Sequence, residues 1–313
     1  MEIIYNNLKV SLPDAIIVGA AKAGTTSLFN YLSDHPQIFK PRIKEPWFFS
    51  FRGKKPQFII PNSGRVNSKE IISNDQEYFD LFKNSDKYLI EGSTSYLYTA
   101  KDTIKNIKDL YGEDYSKLKI IIVLRNPIER AWSHYMMHVR DNKTDLSFTE
   151  SIKEEAIRNM LSSGGIIGYD YIGFGMYYNQ IKLFKDVFPE LKILMYDDFL
   201  RSPLDYLNQL TDFLSIDRFS FHTSQKYNAS GSPKNGVSKL ISSIINRDSY
   251  FKSFIKGFLP KGFLFKLSLS LKPLLYRKVK ISSKEKNSLI EIYREEVLKL
   301  EKLIGYDLKH WLN

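Results

Sequence analysis

Ile16-Ile17-Val18-Gly19-Ala20-Ala21-Lys22-Ala23-Gly24-Thr25-Thr26-Ser27-Leu28 is the stretch that decides how this chain folds. A β-branched run ends in a loop bracketed by Gly19 and Gly24, and an apolar helical pattern starts at the threonines. Strand, glycine loop and helix in that order gather backbone N–H groups around one point. The helix dipole favours negative charge at the same place. Phosphate or sulfate oxygens are what such a cradle attracts.

The four residues between Gly19 and Gly24 match the spacing of a Walker A loop, but the chemistry differs. Walker A sets Lys and then Ser or Thr directly after the second glycine, so that the hydroxyl can hold Mg²⁺. Here Thr25 and Thr26 follow Gly24, and the lysine, Lys22, lies inside the loop. A phosphate cradle without the metal-binding dipeptide argues against an ordinary NTPase.

Strand and helix patterns alternate along the chain on either side of this loop. Asp14–Gly19 is the first strand and Thr25–Ser33 its helix. Tyr88–Glu91 is a second strand, followed by a helical pattern near Thr99–Tyr111. Leu118–Leu124 is a third strand, apolar on both faces as a central parallel strand would be. After Arg125, Asn126 can cap a helix that has Pro127 at its first position and Glu129 in its first turn. Leu191–Tyr196 is a fourth strand between helices at Tyr177–Phe188 and Pro203–Leu214. The alternation predicts an α/β fold: a parallel sheet flanked by helices, with ligands at the carboxyl ends of the strands. Residues 1–237 read as this core and 238–313 as a helical C-terminal extension packed on it. Its last helix spans about Ser282–Leu303, with Ser283 as cap. Residues 51–75, rich in Gly, Pro, Asn, Ser and Lys, read as a long surface loop or lid.

Composition removes several classes of chemistry. The 313 residues contain no cysteine, which excludes disulfides and thiolate catalysis. Five histidines form no ligand-spaced cluster, so a metal site is not expected. The N-terminal residues show no signal-peptide pattern, and no apolar run is long enough to span a bilayer. The expected location is therefore cytoplasmic. The net charge of +11 favours anionic partners. Residues 238–281 interleave phenylalanines and leucines with lysines. Such a segment either caps the core or lies peripherally on an anionic membrane.

Four separated segments carry a resemblance: Lys22–Ser27; Lys44-Glu45-Pro46-Trp47-Phe48-Phe49; Ile122–Tyr135 with Arg125-Asn126-Pro127; and Gln225–Asn228 with Gly231-Ser232-Pro233-Lys234-Asn235. Together they resemble sulfotransferases that use 3′-phosphoadenosine 5′-phosphosulfate (PAPS), above all the heparan-sulfate N- and 3-O-sulfotransferase branch. The resemblance spans roughly residues 14 to 235 and implies a P-loop-NTPase-like fold. It implies that Lys22, Ala23, Gly24, Thr25, Thr26 and Ser27 hold the 5′-phosphosulfate, with Lys22 also stabilising the leaving oxygen. Arg125 and Ser133 would bind the 3′-phosphate, and Tyr227, Ser232 and Lys234 would close over the nucleotide. Glu45 would be the general base. PAPS then enters as co-substrate without a metal, and the acceptor is a carbohydrate or glycolipid, anionic in some cases. No nucleic-acid partner is expected.

Each residue also has a plainer reading. Arg125 can be a strand-end arginine paired with Glu129, and Glu45 a surface carboxylate among Lys40, Arg42 and Lys44. His134 can simply pack. The chain departs from the 3-O branch at Gly92, where those enzymes carry lysine, and at Trp47, where they carry histidine. The competing functions are a P-loop kinase or NTPase and a non-catalytic polyanion-binding protein.

Overall fold

The computed structural model describes residues 1–54, 56, 58, 71–83, 85–141, 143–162, 167–223 and 279–313, together with the backbone of 232–233 and 276–277. The chain opens with a hairpin, β1 (Glu2–Tyr5) and β2 (Leu8–Ser11), paired antiparallel. Asn6 and Asn7 both turn through positive φ, as a two-residue hairpin loop requires. Then follow β3 (Ala15–Gly19), α1 (Thr25–Ser33), β4 (Ile38–Phe39), α2 (Phe48–Phe51), α3 (Asp75–Phe79), β5 (Tyr88–Gly92), α4 (Ser95–Tyr98), α5 (Ala100–Tyr111), β6 (Lys119–Leu124) and α6 (Pro127–Arg140). The remaining elements are α7 (Phe148–Ser151), α8 (Glu154–Ser162), α9 (Tyr177–Val187), β7 (Leu191–Met195), α10 (Tyr196–Arg201), α11 (Pro203–Leu214), β8 (Ser232–Pro233), β9 (Tyr276–Arg277) and α12 (Ser283–Ile304).

Five strands form one parallel sheet in the order β4-β5-β3-β6-β7. The chain leaves β3 toward β4 and β5 on one side, then crosses to β6 and β7 on the other. The winding therefore reverses at β3, and the carboxyl end of β3 is the crevice where α/β sheets take ligands. All five residues of β3 are buried, as are Ile120–Leu124 of β6. Strands enclosed on both faces must be apolar throughout, which is why both read as unbroken β-branched runs.

The four main strands and the helices at Thr25–Ser33 and Pro203–Leu214 stand where the sequence places them. The cap of α12 shifts by one residue: Ser282 caps it, in a reciprocal box with Glu285. Leu289, Ile290, Tyr293, Val297 and Leu300 bury the apolar stripe of α12 against α6 and α9. The 237/238 boundary, most of the proposed lid and nearly all of 238–281 lie outside the described residues. Among the described residues, no helix is long and apolar enough to cross a membrane.

Ile121 is fully enclosed in β6, bridging β3 and β7. Ile121→Ala removes its packing from the sheet's centre and should cost about 2–5 kcal/mol, read from the urea-unfolding midpoint.

Candidate active site

Three strand ends meet beside the loop after β3. The Ala20 N–H donates to the Val123 carbonyl at 2.7 Å, and the Ser93 N–H donates to the Ile17 carbonyl at 3.1 Å. The loop is thus sewn to β6 on one side and to the end of β5 on the other. Lys22 and Gly24 both take positive φ, of 70° and 82°. Gly24 is the N-cap of α1, and no acidic side chain stands in the first turn of that helix. A Cβ at Gly24 would lie 2.7 Å from the Tyr196 ring, so both its backbone and its neighbour require glycine.

Arg125 follows β6 directly. Its guanidinium donates to the Lys22 carbonyl at 3.1 Å, stacks 5.0 Å from the Tyr196 ring centroid, and pairs with Glu129 at 2.9 Å. The pairing with Glu129 and the place beside the loop are therefore both present. Glu129 is largely exposed, whereas the arginine is four-fifths covered. An exposed pair of this kind contributes little stability. The Tyr177 hydroxyl donates to the Arg125 carbonyl at 3.1 Å and fixes the backbone from which the guanidinium extends.

Lys22 points toward α6, where its ammonium lies 3.5 Å from Met137 Sδ. A thioether neutralises no charge. Burial, and then Arg140 and Arg125, pull the Lys22 pKa down to about 8, against the opposing pull of Asp141 and Glu45. Ser133 is buried one helical turn before Met137, hence on the same face of α6. Arg140 lies nearly one turn beyond Met137 and pairs with Asp141 at 2.7 Å.

Glu45 reaches the same wall from the opposite side. Its N–H donates to the Gly92 carbonyl at the end of β5 (3.1 Å), and its carboxylate pairs with Lys44 at 2.7 Å. Glu45 and Trp47 both have φ of 59°, a left-handed backbone that surrounding contacts must hold. The Lys44 ammonium sits 5.8 Å over the Phe29 ring. Phe29 in turn stands 3.2 Å from where a Gly92 Cβ would be. A side chain at position 92, where the 3-O branch carries lysine, would press against Phe29, which must give by a few tenths of an ångström. On this wall a lysine arrives from position 44 instead.

Lys22, Glu45, Arg125 and the first turn of α1 thus stand near one another beyond the carboxyl ends of β3, β5 and β6, with Ser133 on the face of α6 that carries Met137. The backbone of β8, with Ser232, runs against α6. Tyr227 and Lys234 lie outside the described residues. Neither His134 nor His138 faces solvent: both are buried against Tyr171, and burial drives both toward the neutral form. Among the described residues, no group of three or more His, Asp or Glu is placed to hold a metal ion.

The family described as "Sulfotransferase domain" matches residues 12–262. The chain belongs to the sulfotransferase domain family. A crystal structure of a sulfotransferase from Alicyclobacillus acidocaldarius aligns over 97% of this chain and 100% of its own, with a TM-score of 0.72 and 27% identity. The chain is also similar to "Bifunctional heparan sulfate N-deacetylase/N-sulfotransferase 1" of Caenorhabditis elegans, at 25% identity over 72% of this chain and 24% of that protein. "Membrane-associated sulfotransferase kil1" of Dictyostelium discoideum is 30% identical over 46% of this chain and 28% of that protein. The chain thus spans about a quarter of the length of these two relatives. The heparan-sulfate branch expected from the sequence reappears among them, and the fold is the one that branch implies.

Within this sulfotransferase domain Tyr196, Met137 and Arg140 stand at the site without having been candidates on sequence grounds. Tyr196 had a legible signal, since it follows the last residue of β7 and so stands at the ligand-bearing edge of the sheet. Met137 and Arg140 had one too: they follow the candidate Ser133 at helical spacing, on the same face of α6.

The demand for glycine at position 24 can be separated into its two parts. Gly53 also has positive φ (72°), but no atom lies within 4 Å of its missing Cβ. Gly53→Ala should lose about 1–2 kcal/mol from backbone strain alone. Gly24→Ala should lose at least about 1 kcal/mol more in urea unfolding, because the Tyr196 ring must move. Tyr196→Ala in the Gly24→Ala background should recover that difference.

Proposed function

We propose that the protein transfers a sulfonyl group from PAPS to a hydroxyl or amine of a carbohydrate or glycolipid acceptor. The observation that carries this reading is the Arg125–Lys22 pairing. One guanidinium is tied to the carbonyl of the lysine in an anion cradle, so two cations stand at two distances from one helix N-terminus. PAPS carries a 5′-phosphosulfate and a separate 3′-phosphate and needs that arrangement. The cradle also fits the group chemically, because the first turn of α1 carries no acidic side chain and Arg125 is tied to the loop beside it.

The donor supplies an activated sulfonyl group on a good leaving phosphate. The α1 N-terminus and the loop amides would hold the 5′-phosphate, while Arg125 and Ser133 would bind the 3′-phosphate. Glu45 accepts the acceptor's proton as its oxygen or nitrogen bonds to sulfur. The sulfur–oxygen bond to the phosphate breaks, its electron pair leaves on that oxygen, and the Lys22 ammonium stabilises the growing charge. The transferred sulfonyl carries less negative charge than a γ-phosphoryl, so a lysine can serve where NTPases place Mg²⁺. Support for a carbohydrate acceptor comes from the names of the relatives and from Lys40, Arg42 and Lys44 beside Glu45. The kil1 name gives a parallel for peripheral membrane contact, which this reading assigns to 238–281 of an otherwise cytoplasmic protein.

Thermal shifts separate this reading from a kinase or a general polyanion binder. The product 3′-phosphoadenosine 5′-phosphate (PAP) should raise the melting temperature far more than AMP or ATP with Mg²⁺. Arg125→Ala should weaken PAP binding on the order of tenfold to a hundredfold while leaving the weak AMP response unchanged. In transfer assays, Lys22→Ala and Glu45→Gln should both lose most activity, the latter with PAP affinity intact. Wild-type turnover in either variant would overturn its assigned role.

The depressed Lys22 pKa sets a pH dependence with a definite sign. Below about 8 the ammonium is charged and attracts the donor's anions; as pH rises through that value the proton leaves and attraction falls. Titration calorimetry should show PAP affinity declining above about pH 8, with the midpoint displaced upward by the bound anion. Lys22→Met should bind more weakly and lose this decline.

A further inference from the structure

Glu91, the next-to-last residue of β5, is fully enclosed, and none of the steps above uses it. A buried carboxylate with no cation beside it is costly unless hydrogen bonds hold it. Its neighbours are hydroxyls. Tyr78 donates to Oε2 at 3.3 Å, and the Ser93 and Tyr96 hydroxyls also favour the charged form, while Oε1 has no partner in full hydrogen-bond geometry.

Each of these three residues also holds the segment that carries Glu45. Ser93 Oγ accepts the Trp47 N–H at 3.1 Å, and the Tyr96 hydroxyl accepts the Phe49 N–H at 3.2 Å. The Tyr78 ring stacks on Phe48, with centroids 3.9 Å apart and planes 6° from parallel. Glu45 itself hangs by its N–H from Gly92, the residue after Glu91. A hydroxyl has one hydrogen. When that hydrogen points to Glu91, the oxygen's lone pairs are free to receive the N–H groups of residues 47 and 49. Turning the hydrogen the other way sets donor against donor and releases the segment.

We propose that Glu91 is the positioning residue of the proposed base: by accepting the Tyr78, Ser93 and Tyr96 hydroxyl hydrogens it orients the groups that hold residues 45–49, and so aims the Glu45 carboxylate. This rests on the assignment of Glu45 as base. It also explains how two left-handed non-glycine residues, Glu45 and Trp47, are kept in place.

The charge on Glu91 gives the proposal a signature that packing alone lacks. Burial raises the Glu91 pKa to about 7, the three hydroxyls oppose that rise, and Glu45 adds to it. The other groups facing it are Tyr78 from α3, Tyr96 from α4 and Tyr111 from α5, all pushed far up by burial and neutral throughout. Glu45 is therefore the group whose charge varies with that of Glu91. The repulsion is mutual: the Glu91 carboxylate acts on Glu45 as Glu45 acts on Glu91.

The test compares Glu91→Gln, Tyr78→Phe, Ser93→Ala and Glu45→Gln in the full chain. It reads kcat, KM for the donor, PAP affinity and the pH dependence of kcat. Glu91→Gln keeps the size but offers an amide N–H₂ to the hydroxyls. It should lower kcat on the order of tenfold or more with PAP affinity unchanged, and move the acid limb of the profile to lower pH. Tyr78→Phe and Ser93→Ala should each lower kcat by less, again without changing donor KM; they decide the matter if Glu91→Gln fails to fold. An inactive Glu45→Gln beside wild-type kcat and acid limb in Glu91→Gln would overturn this inference alone. So would a Glu91→Gln variant that loses kcat and PAP affinity in parallel with an unmoved acid limb. Wild-type turnover in Glu45→Gln would remove the base assignment, and the role of Glu91 with it.

Discussion

Parallel pairing of β3 with β5 on one side and β6 on the other is the constraint on which everything else rests. Ile17 stands level with Gly92, and Gly19 with Ile122. Three chain segments therefore leave the sheet within a few residues of one another and at one edge. Lys22 leaves from β3 and Arg125 from β6. Glu45 does not follow a strand of its own, but it is hung from the last residue of β5. Fully buried strands cannot slide without exposing apolar faces or leaving peptide groups unpaired, so the register fixes the distances among the three.

On that frame the electrostatics are unevenly spread. Arg125 and Lys44 each have a carboxylate at hand, whereas the Lys22 ammonium meets a thioether and feels two arginines. The cost of crowding cations falls on Lys22 and appears as a depressed pKa. A negative charge placed beside Lys22 would relieve that cost. Arg130 shows the contrast. It is fully buried on α6, but it donates to the Tyr171 carbonyl and lies 3.2 Å from His134 Nδ1, so its charge is spread through dipoles away from the loop.

The parts of this arrangement legible in the sequence are those that local rules determine. Gly19 and Gly24 announced the loop, Asn126-Pro127 the start of α6, and the apolar run at 118–124 the central strand. What stayed hidden depends on contacts between distant segments. Position along the chain marks Tyr196 and Met137 as near the site, but not that Tyr196 closes over Gly24 or that Met137 faces Lys22, and nothing in the sequence shows that Phe29 packs beside Gly92. The β1–β2 hairpin was missed because Asn-Asn is a weaker turn signal than Asn-Gly, though both asparagines take the required positive φ. The histidines show the limit in the other direction. His134 and His138, four apart on α6, suggest chemistry by residue type, yet they are enclosed by Tyr169, Tyr171 and Phe174 and serve the core.

Gly92 shows how one missing side chain changes the role of its neighbours. With Phe29 against it, position 92 contributes a carbonyl, and that carbonyl holds the backbone of Glu45. A bulkier residue there would push Phe29 away, and Phe29 lies beneath the Lys44 ammonium. The cation on this wall therefore sits directly before the carboxylate in sequence and pairs with it, rather than approaching from the sheet. Lys44 and Glu45 are then paired on a backbone held by Gly92, Ser93 and Tyr96. Rigidity in that backbone, more than the ion pair itself, keeps the carboxylate aimed, because a partly exposed pair contributes at most about 1 kcal/mol and orders little on its own.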